Sequence, residues 1–537
     1  MDKWWKEAVF YEIYMPSFCD GNGDGIGDFL GIISKLDYLK DLGVNGIWLT
    51  PFYKSPKVDN GYDIEDYYEI DPDHGTMEDF TNFIEEAHKR NIKVIADLVL
   101  NHTSNRHKWF LESKSSIDNS KRDWYIWKDN PNNWESFFSG SAWEYDETTN
   151  QYYYHAFAKE QVDLNWSNNE VKEAMFDVIK FWLDKGIDGF RLDVINFLTV
   201  KDHLQDNPYD ENGEQLHLYD KDQDGILEII EELKKLTEEY DDKFLVGEVG
   251  SEDLDVIKKY IGKKRLDAAF NFNLGSIEQF DVDKIFEEIR TMEKKFDIEQ
   301  LPTLFFSSHD MSRHISRFGD KGIEEDRAKN IATLILTAKG IPFIYNGEEI
   351  GMRDYIANSI HEMKDIQGIL AYSKAIDESK NKNEALKIAN SKCRDKSRSP
   401  IQWDNTEYAG FSSTKPWINI NKNKEEINVK NQLSDPNSIL NHYKNLIKLR
   451  SKYNSLNKGV YEELNKNNNL IYYLKKYNEE KSLILINFDR SKVKFDLKKY
   501  KDFNFIYSNK RNNIDFSREM IEILPNESII MIKSEEN

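Results

Sequence analysis

Eight short apolar runs punctuate the first two-thirds of the chain, at residues 8–18, 44–53, 92–103, 186–194, 243–250, 265–274, 301–310 and 341–352. They are rich in Val, Ile and Phe and bounded by Gly or Pro. They do not alternate apolar with polar, which predicts strands buried on both faces, as in a parallel sheet. Between them the apolar period lengthens to that of a helix. The clearest case is 169–186, where Val171, Met175, Val178, Ile179 and Trp182 fall on one face and Gly186 ends the pattern. Similar stretches lie at 31–43, 76–91, 225–240, 251–262, 281–296, 325–340 and 436–454. Eight strands alternating with eight helices predict a (β/α)8 TIM barrel, class α/β.

Two spacings break the rhythm. Residues 103–168, dense in Trp and Tyr, separate the third strand from its helix and predict a small inserted domain on the catalytic face. Residues 353–435 are a second long excursion, between the eighth strand and its helix. After 455 the helical period gives way to strand-like runs such as 469–477 and 481–489, which predict a C-terminal antiparallel β-sandwich. The expected division is barrel over 1–102 and 169–455, inserted domain over 103–168 and C-terminal domain over 456–537.

Composition narrows the partners. A formal charge of −23 over 537 residues disfavours nucleic acid and anionic membrane surfaces, and no obligate protein partner is evident. The two cysteines, Cys19 and Cys393, make neither a disulfide framework nor a zinc site. The N-terminal stretch has no basic start followed by an apolar segment, and no run approaches a membrane span. The expectation is therefore a cytoplasmic protein without membrane attachment.

In a barrel, side chains at the C-terminal strand ends form the active site. Here those ends carry Asp97, Asn101, His102, Arg191, Asp193, Glu248, His309 and Asp310. Carboxylates converging from four strands beside an Arg and a His suit glycosyl transfer, in which one carboxyl is the acid and another the nucleophile. Asp193 and Arg191 are two apart on one strand, so their side chains share a face, and the guanidinium would keep Asp193 ionised. The apolar or small neighbours of Glu248 would raise its pKa and hold its proton.

The segments "DLVLNH", "GFRLDV", "VGEV" and "SSHD", with "QVDLNW" at 161–166, resemble the signature segments of the α-amylase family, glycoside hydrolase family thirteen. "DNGYDI" (59–64), "NGEEIGM" and "RDKSRSPIQWD" (394–404) resemble its α-glucosidase and oligo-1,6-glucosidase branch. The resemblance implies a retaining exo-α-glucosidase acting on short oligosaccharides. Asp193 would be the nucleophile, Glu248 the acid/base and Asp310 the third carboxylate. It places Asp59, Tyr62, His102, Arg191, His309 and Arg398 around the terminal glucose, with Asp59 and Arg398 on its end hydroxyls and Tyr62 as a stacking face. Val194 resembles the residue found after the nucleophile in α-1,6-acting members. Trehalose-6-phosphate hydrolases share much of this pattern, and a sucrose-isomerising or transglucosylating enzyme is a third option.

Two acidic loops suggest metal. Residues 220–231, "DKDQDGILEIIE", satisfy the EF-hand expression but lack an entering helix and read as the start of the fourth barrel helix. Residues 20–28 set Asp20, Asn22, Asp24, Ile26 and Asp28 at calcium-loop spacing, with Gly31 where an EF-hand needs a bidentate Glu. The resemblance implies a structural Ca2+ or Mg2+ ion there, on the loop after the first strand.

Overall fold

The computed structural model describes residues 3–199, 205–297, 299–515 and 519–534. Eight parallel strands form one sheet: β1 (Phe10–Ile13), β2 (Gly46–Leu49), β3 (Lys93–Val99), β4 (Gly189–Asp193), β5 (Phe244–Gly247), β6 (Ala268–Ala269), β7 (Thr303–Leu304) and β8 (Ile341–Tyr345). Their order around the sheet is β6-β5-β4-β3-β2-β1-β8-β7. Among the described residues no ladder joins β6 to β7. Instead the Thr303 hydroxyl accepts from Asn271 N–H at 3.0 Å and donates to the Ala269 carbonyl at 3.2 Å, closing a TIM-type barrel.

The eight helices that follow the strands are α1 (Phe29–Leu42), α2 (Met77–Lys89), α3 (Asn169–Asp184), α4 (Ile226–Thr237), α5 (Leu254–Tyr260), α6 (Val282–Lys295), α7 (Glu324–Thr337) and α8 (Ile439–Lys452). Local chemistry sets their ends. Asp28 caps α1 by accepting from Gly31 N–H, and left-handed Gly43 stops it. A Thr76/Asp79 capping box starts α2.

Side-chain period two builds the site. Phe10, Ile95, Phe244 and Val246 pack with Trp48, Phe270 and Phe343 inside the barrel, where the Phe10 and Phe343 rings stack at 4.7 Å. The space is tight: a Cβ at Gly46 would come within 2.7 Å of the Phe10 ring. One rung further towards the C-terminal ends, the same inward rows carry Glu12, Asp97, Arg191 and Glu248, with Asp193 beyond Arg191. An apolar plug therefore supports a charged mouth.

The segment after β3 folds back as a three-stranded sheet, Trp127–Lys128, Gln151–Tyr154 and Trp143–Asp146 in spatial order. Trp134, Trp143 and Tyr154 are buried among themselves, as core rather than sugar platforms. A second pairing, His102–Ser104 with Gln161–Asp163, anchors this insertion to the end of β3. The excursion after β8 contains two packed helices, Ile366–Asp377 and Lys382–Lys392, which the sequence pattern does not reveal. Towards the C-terminus, a five-stranded antiparallel sheet places Ile471, Tyr473 and Ile484 in the barrel-side core, with the Tyr473 hydroxyl bonded to Thr337 of α7. Its other face carries Leu470, Leu483 and Leu485 against Phe495 and Ile521 of a two-stranded sheet. No helix among the described residues is long and apolar enough to cross a membrane.

Candidate active site

Arg191 is the hub. Register pairs it directly with Asp97 on β3. Its Nη1 donates to Asp97 at 2.8 Å and to Asp193 at 2.5 Å, and its Nη2 donates to Glu248. The guanidinium is a rigid planar fork. It therefore draws the carboxylates of Asp193 and Glu248 towards each other from adjacent strands.

Environment separates the two carboxyls. Burial raises Asp193 to about 6, against the pull of Arg191. Burial likewise raises Glu248 to about 7, opposed by Arg191 and reinforced by Asp193 and Asp310. At neutral pH Asp193 is largely ionised while Glu248 keeps a substantial protonated fraction, the division of labour that nucleophile and acid require. Between them sits Val194 with φ 36°, a left-handed conformation costly for a β-branched residue, its N–H 3.4 Å from Glu248 Oε2.

The third carboxylate belongs to a separate network. Burial opposes the charge of Asp310, but His309, Arg394 and Arg398 together hold it well below the usual carboxylate range. Burial also works against a cationic His309, yet Asp310 and Glu12 raise it to about 9. The protonated ring donates from Nδ1 to Glu12 at 2.6 Å and meets Asp310 from Nε2 at 3.0 Å. Tyr62 lies parallel to His309, with 5.4 Å between ring centroids. Its hydroxyl bonds His309 Nε2 at 2.6 Å and donates to Asp97 at 2.9 Å. Burial lowers His102 to about 4, so its ring is neutral.

Asp59 contacts Arg394 rather than Arg398. Arg394 also binds Asp365 through Nη2 at 2.6 Å and Nε at 2.9 Å, and reaches Asp310 at 3.4 Å. Arg398 lies fully buried behind Asp310, donating to it at 2.8 Å and to the His309 carbonyl at 2.8 Å. Of the two residues expected on the end hydroxyls, Asp59 lines the cavity paired with Arg394, while Arg398, four residues later and one turn further round, lies under the pocket behind Asp310.

The cavity these groups enclose measures about 330 Å³ and is lined by Asp59, Tyr62, His102, Asp193, Glu248, Asp310 and Arg394, with Phe138, Phe157 and Gln161 from the insertion. Arg191, His309 and Arg398 stand behind that lining and orient it. Sequence reasoning missed Glu12, Gln161, Asp365 and Arg394. A charge inside the apolar first strand signals Glu12. Gln161 opens the "QVDLNW" segment and donates to Asp59 at 3.1 Å. Arg394 opens the same segment that holds Arg398. Asp365 carries no local signal.

The loop after β1 supplies hard oxygen donors suited to Ca2+ or Mg2+. Asn22 and Asp24 bond each other, and Asp20 accepts from Gly23 at 2.6 Å, Gly25 at 2.8 Å and the Ser412 hydroxyl at 2.6 Å. Asp28 accepts from the N–H groups of Gly21, Asn22 and Gly31, so like Asp20 it is held in place by the loop's own backbone. In the other acidic loop Asp220 meets His217 at 2.6 Å, Asp222 accepts from Tyr260 at 2.8 Å, and α4 starts at Ile226.

Comparison with known proteins agrees with this chemistry. Residues 12–459 match the model of the alpha amylase catalytic domain. The oligo-1,6-glucosidase of Bacillus cereus is 42% identical over 516 residues, covering 92% of each chain. The trehalose-6-phosphate hydrolase of Bacillus subtilis (strain 168) is 42% identical over 515 residues, covering 92% of this chain and 91% of its own. The crystal structure of a mutant isomaltulose synthase from Erwinia rhapontici NX5, in complex with its natural substrate sucrose, superposes with a TM-score of 0.91 at 36% identity, covering 99% of this chain and 100% of that one. The chain belongs to the α-amylase family and is a glycoside hydrolase.

Proposed function

We propose that this protein is a retaining exo-α-glucosidase that removes terminal α-1,6-linked glucose, and also α-1,4-linked glucose, from the non-reducing ends of short oligosaccharides. The observation that carries the reading is the single guanidinium of Arg191 holding Asp193 and Glu248 together, in a pocket walled at one side by Asp59 and Arg394, with Asp365 buried behind them. That wall suits the hydroxyls of a chain end. Asp193 attacks the anomeric carbon while Glu248 gives its proton to the glycosidic oxygen; the C–O bond breaks and the remaining sugar leaves as an alcohol. Glu248, now ionised, takes a proton from water, whose oxygen attacks the same carbon and releases Asp193. Two inversions retain the α configuration. Asp310, with His309 behind it, would hold the ring hydroxyls as the sugar flattens.

A second reading, hydrolysis of a phosphorylated disaccharide, is favoured by Lys392 and Lys396 on the cavity lining. The test is a panel of isomaltose, maltose and trehalose, each with and without a 6-phosphate. Fastest release of glucose from trehalose 6-phosphate overturns the first reading. We also propose a divalent ion on Asp20, Asn22, Asp24, Asp28 and the Ile26 carbonyl. Its test is a rise in Tm with added Ca2+ or Mg2+ that Asp24→Ala abolishes; an unchanged Tm in both proteins refutes it.

A further inference from the structure

Glu12 lies on the inward row of β1, buried, and does not line the catalytic cavity. Its described side-chain partners are both on one residue: Oε1 accepts the His309 backbone N–H at 3.2 Å and the ring Nδ1–H at 2.6 Å. A buried carboxylate is costly unless a paired charge offsets it, and here the pairing falls to His309. The opposite ring nitrogen, Nε2, meets a second carboxylate, Asp310, at 3.0 Å and the Tyr62 hydroxyl at 2.6 Å. A neutral imidazole carries one N–H, so one of its nitrogens would face a carboxylate lone pair to lone pair. The geometry is that of an imidazolium clamped at both ends. Tyr62 and Tyr14 stack parallel to the ring at 5.4 and 6.0 Å, with Trp48 edge-on at 5.8 Å, so it has little room to turn.

A chain of hydrogen bonds runs from this ring to the catalytic pair. The Nε2 proton is offered to Asp310 and to the Tyr62 oxygen, which leaves the Tyr62 hydroxyl proton for Asp97 at 2.9 Å. Asp97 holds Arg191, and Arg191 holds Asp193 and Glu248. Without the Nε2 proton the chain reverses. The Tyr62 hydroxyl would donate to the bare nitrogen and leave Asp97, and Asp310 would keep only Arg394 and Arg398 as cationic partners. We propose that Glu12 is a positioning residue for the reaction: by keeping both nitrogens of His309 protonated, it fixes Asp310 and aims the Tyr62 hydroxyl at Asp97. This inference rests on the α-glucosidase reading of the same site and adds a residue that touches no sugar. Other charges surround the ring: Arg398 donates to the His309 carbonyl at 2.8 Å, Arg394 lies beyond Asp310, and Asp97 and Glu248 each feel the imidazolium. Against burial, the carboxylates of Asp310 and Glu12 hold His309 at about 9. Burial also raises Glu12, with His309 the first group opposing that rise, so each half of the pair is charged because the other is.

The experiment uses Glu12→Gln, which keeps the shape and an acceptor oxygen but removes the charge. Nitrogen-15 NMR of histidine-labelled protein reads the His309 ring directly. The parent ring should stay an imidazolium up to about pH 9, and the Glu12→Gln ring should turn neutral about 1–3 pH units lower. Kinetics follow with an activated aryl α-glucoside in the Glu248→Gln background, where the Glu248 limb is absent. There kcat/KM should stay within about twofold between pH 6.5 and pH 8.5. Adding Glu12→Gln should make it fall about tenfold over the same range, because the active imidazolium is lost as pH rises. A merely structural Glu12 would lower Tm and leave the shape of the pH profile alone. A parent ring that is neutral at pH 7, or a Glu12→Gln profile parallel to its parent's, overturns the role of Glu12 and leaves the glucosidase reading standing. Should Glu12→Gln not fold, the parent titration decides: an imidazolium up to about pH 9 supports the clamp, and a neutral ring at pH 7 overturns it. A parent enzyme that cleaves no α-glucoside overturns the glucosidase reading and the role that rests on it.

Discussion

Arg394→Lys tests whether the wall of the pocket contributes to catalysis. Arg394 is buried and spans Asp59 and Asp365 while reaching Asp310. A lysine is a point donor on a flexible stem and cannot bridge both Asp59 and Asp365 in this geometry. At least one charge-assisted hydrogen bond is lost, worth about 1.5–3 kcal/mol. If that bond positions Asp59 for substrate, kcat/KM falls about 10- to 100-fold, at about 1.4 kcal/mol per decade. The loss should deepen in acid. Burial raises Asp59 and Arg394 is the first group opposing that rise, so weakening the pair moves the Asp59 pKa up and protonates it as pH drops. The assay is kcat/KM for the preferred disaccharide at pH 7 and pH 5, with Tm in parallel. Arg394→Met removes the charge altogether, leaves buried carboxylates without their arginine and should cost about 3–5 kcal/mol of stability. Activity of Arg394→Lys within threefold of the parent at both pH values refutes the role of this wall.

Other outcomes follow from the same geometry. The pH dependence of kcat/KM should be bell-shaped with its maximum between about 6 and 7: ionised Asp193 accumulates as pH rises through about 6, and protonated Glu248 is lost as it rises through about 7. Glu248→Gln should remove the alkaline limb with an activated aryl glucoside; a limb that persists assigns it to another group. Proton NMR should show α-glucose as the first product, and Asp193→Asn should slow turnover about 10⁴-fold or more. β-Glucose first would disprove the double displacement. Val194→Gly should leave Tm nearly unchanged, because about 1–3 kcal/mol of backbone strain is returned. Val178→Gly, at a buried helical position, should cost about 3 kcal/mol by denaturant titration.

The barrel is legible because its strands are buried on both faces, and even the two-residue strands β6 and β7 lie within apolar runs. The helix Ile366–Asp377 is not, since only Gly368 and Ala375 on it are buried and no wide apolar stripe exists. The strand Val460–Asn467 has no fully buried residue and reads as polar loop. Asp193 and Arg191 are visible as neighbours because they share a strand. Glu12 and His309 are not, because their bond joins residues 297 positions apart. The arginines of residues 394–404 show the same limit: the motif holds both, and only the chain's path decides which one meets Asp59 and which lies behind Asp310.

The break in strand pairing between β6 and β7 among the described residues divides the mouth unequally. Asp193 and Glu248 stand on adjacent, fully paired strands with a guanidinium between them, so their spacing belongs to the covalent and hydrogen-bonded frame. Asp310 follows β7, on the far side of a seam bridged by the Thr303 hydroxyl, by Arg317 donating to the Gly275 and Phe306 carbonyls, and by the packed rings of Phe270 and Phe305. Its place is fixed by His309, itself bonded to Glu12 of β1, and by Arg394 and Arg398, which arrive on a segment after β8. The Asp193–Glu248 half of the mouth is thus framed by neighbouring strands, while the Asp310 half depends on side chains gathered from distant segments. Substitutions among Arg394 and Arg398 are expected to shift Asp310 while leaving the Asp193–Glu248 pair in place.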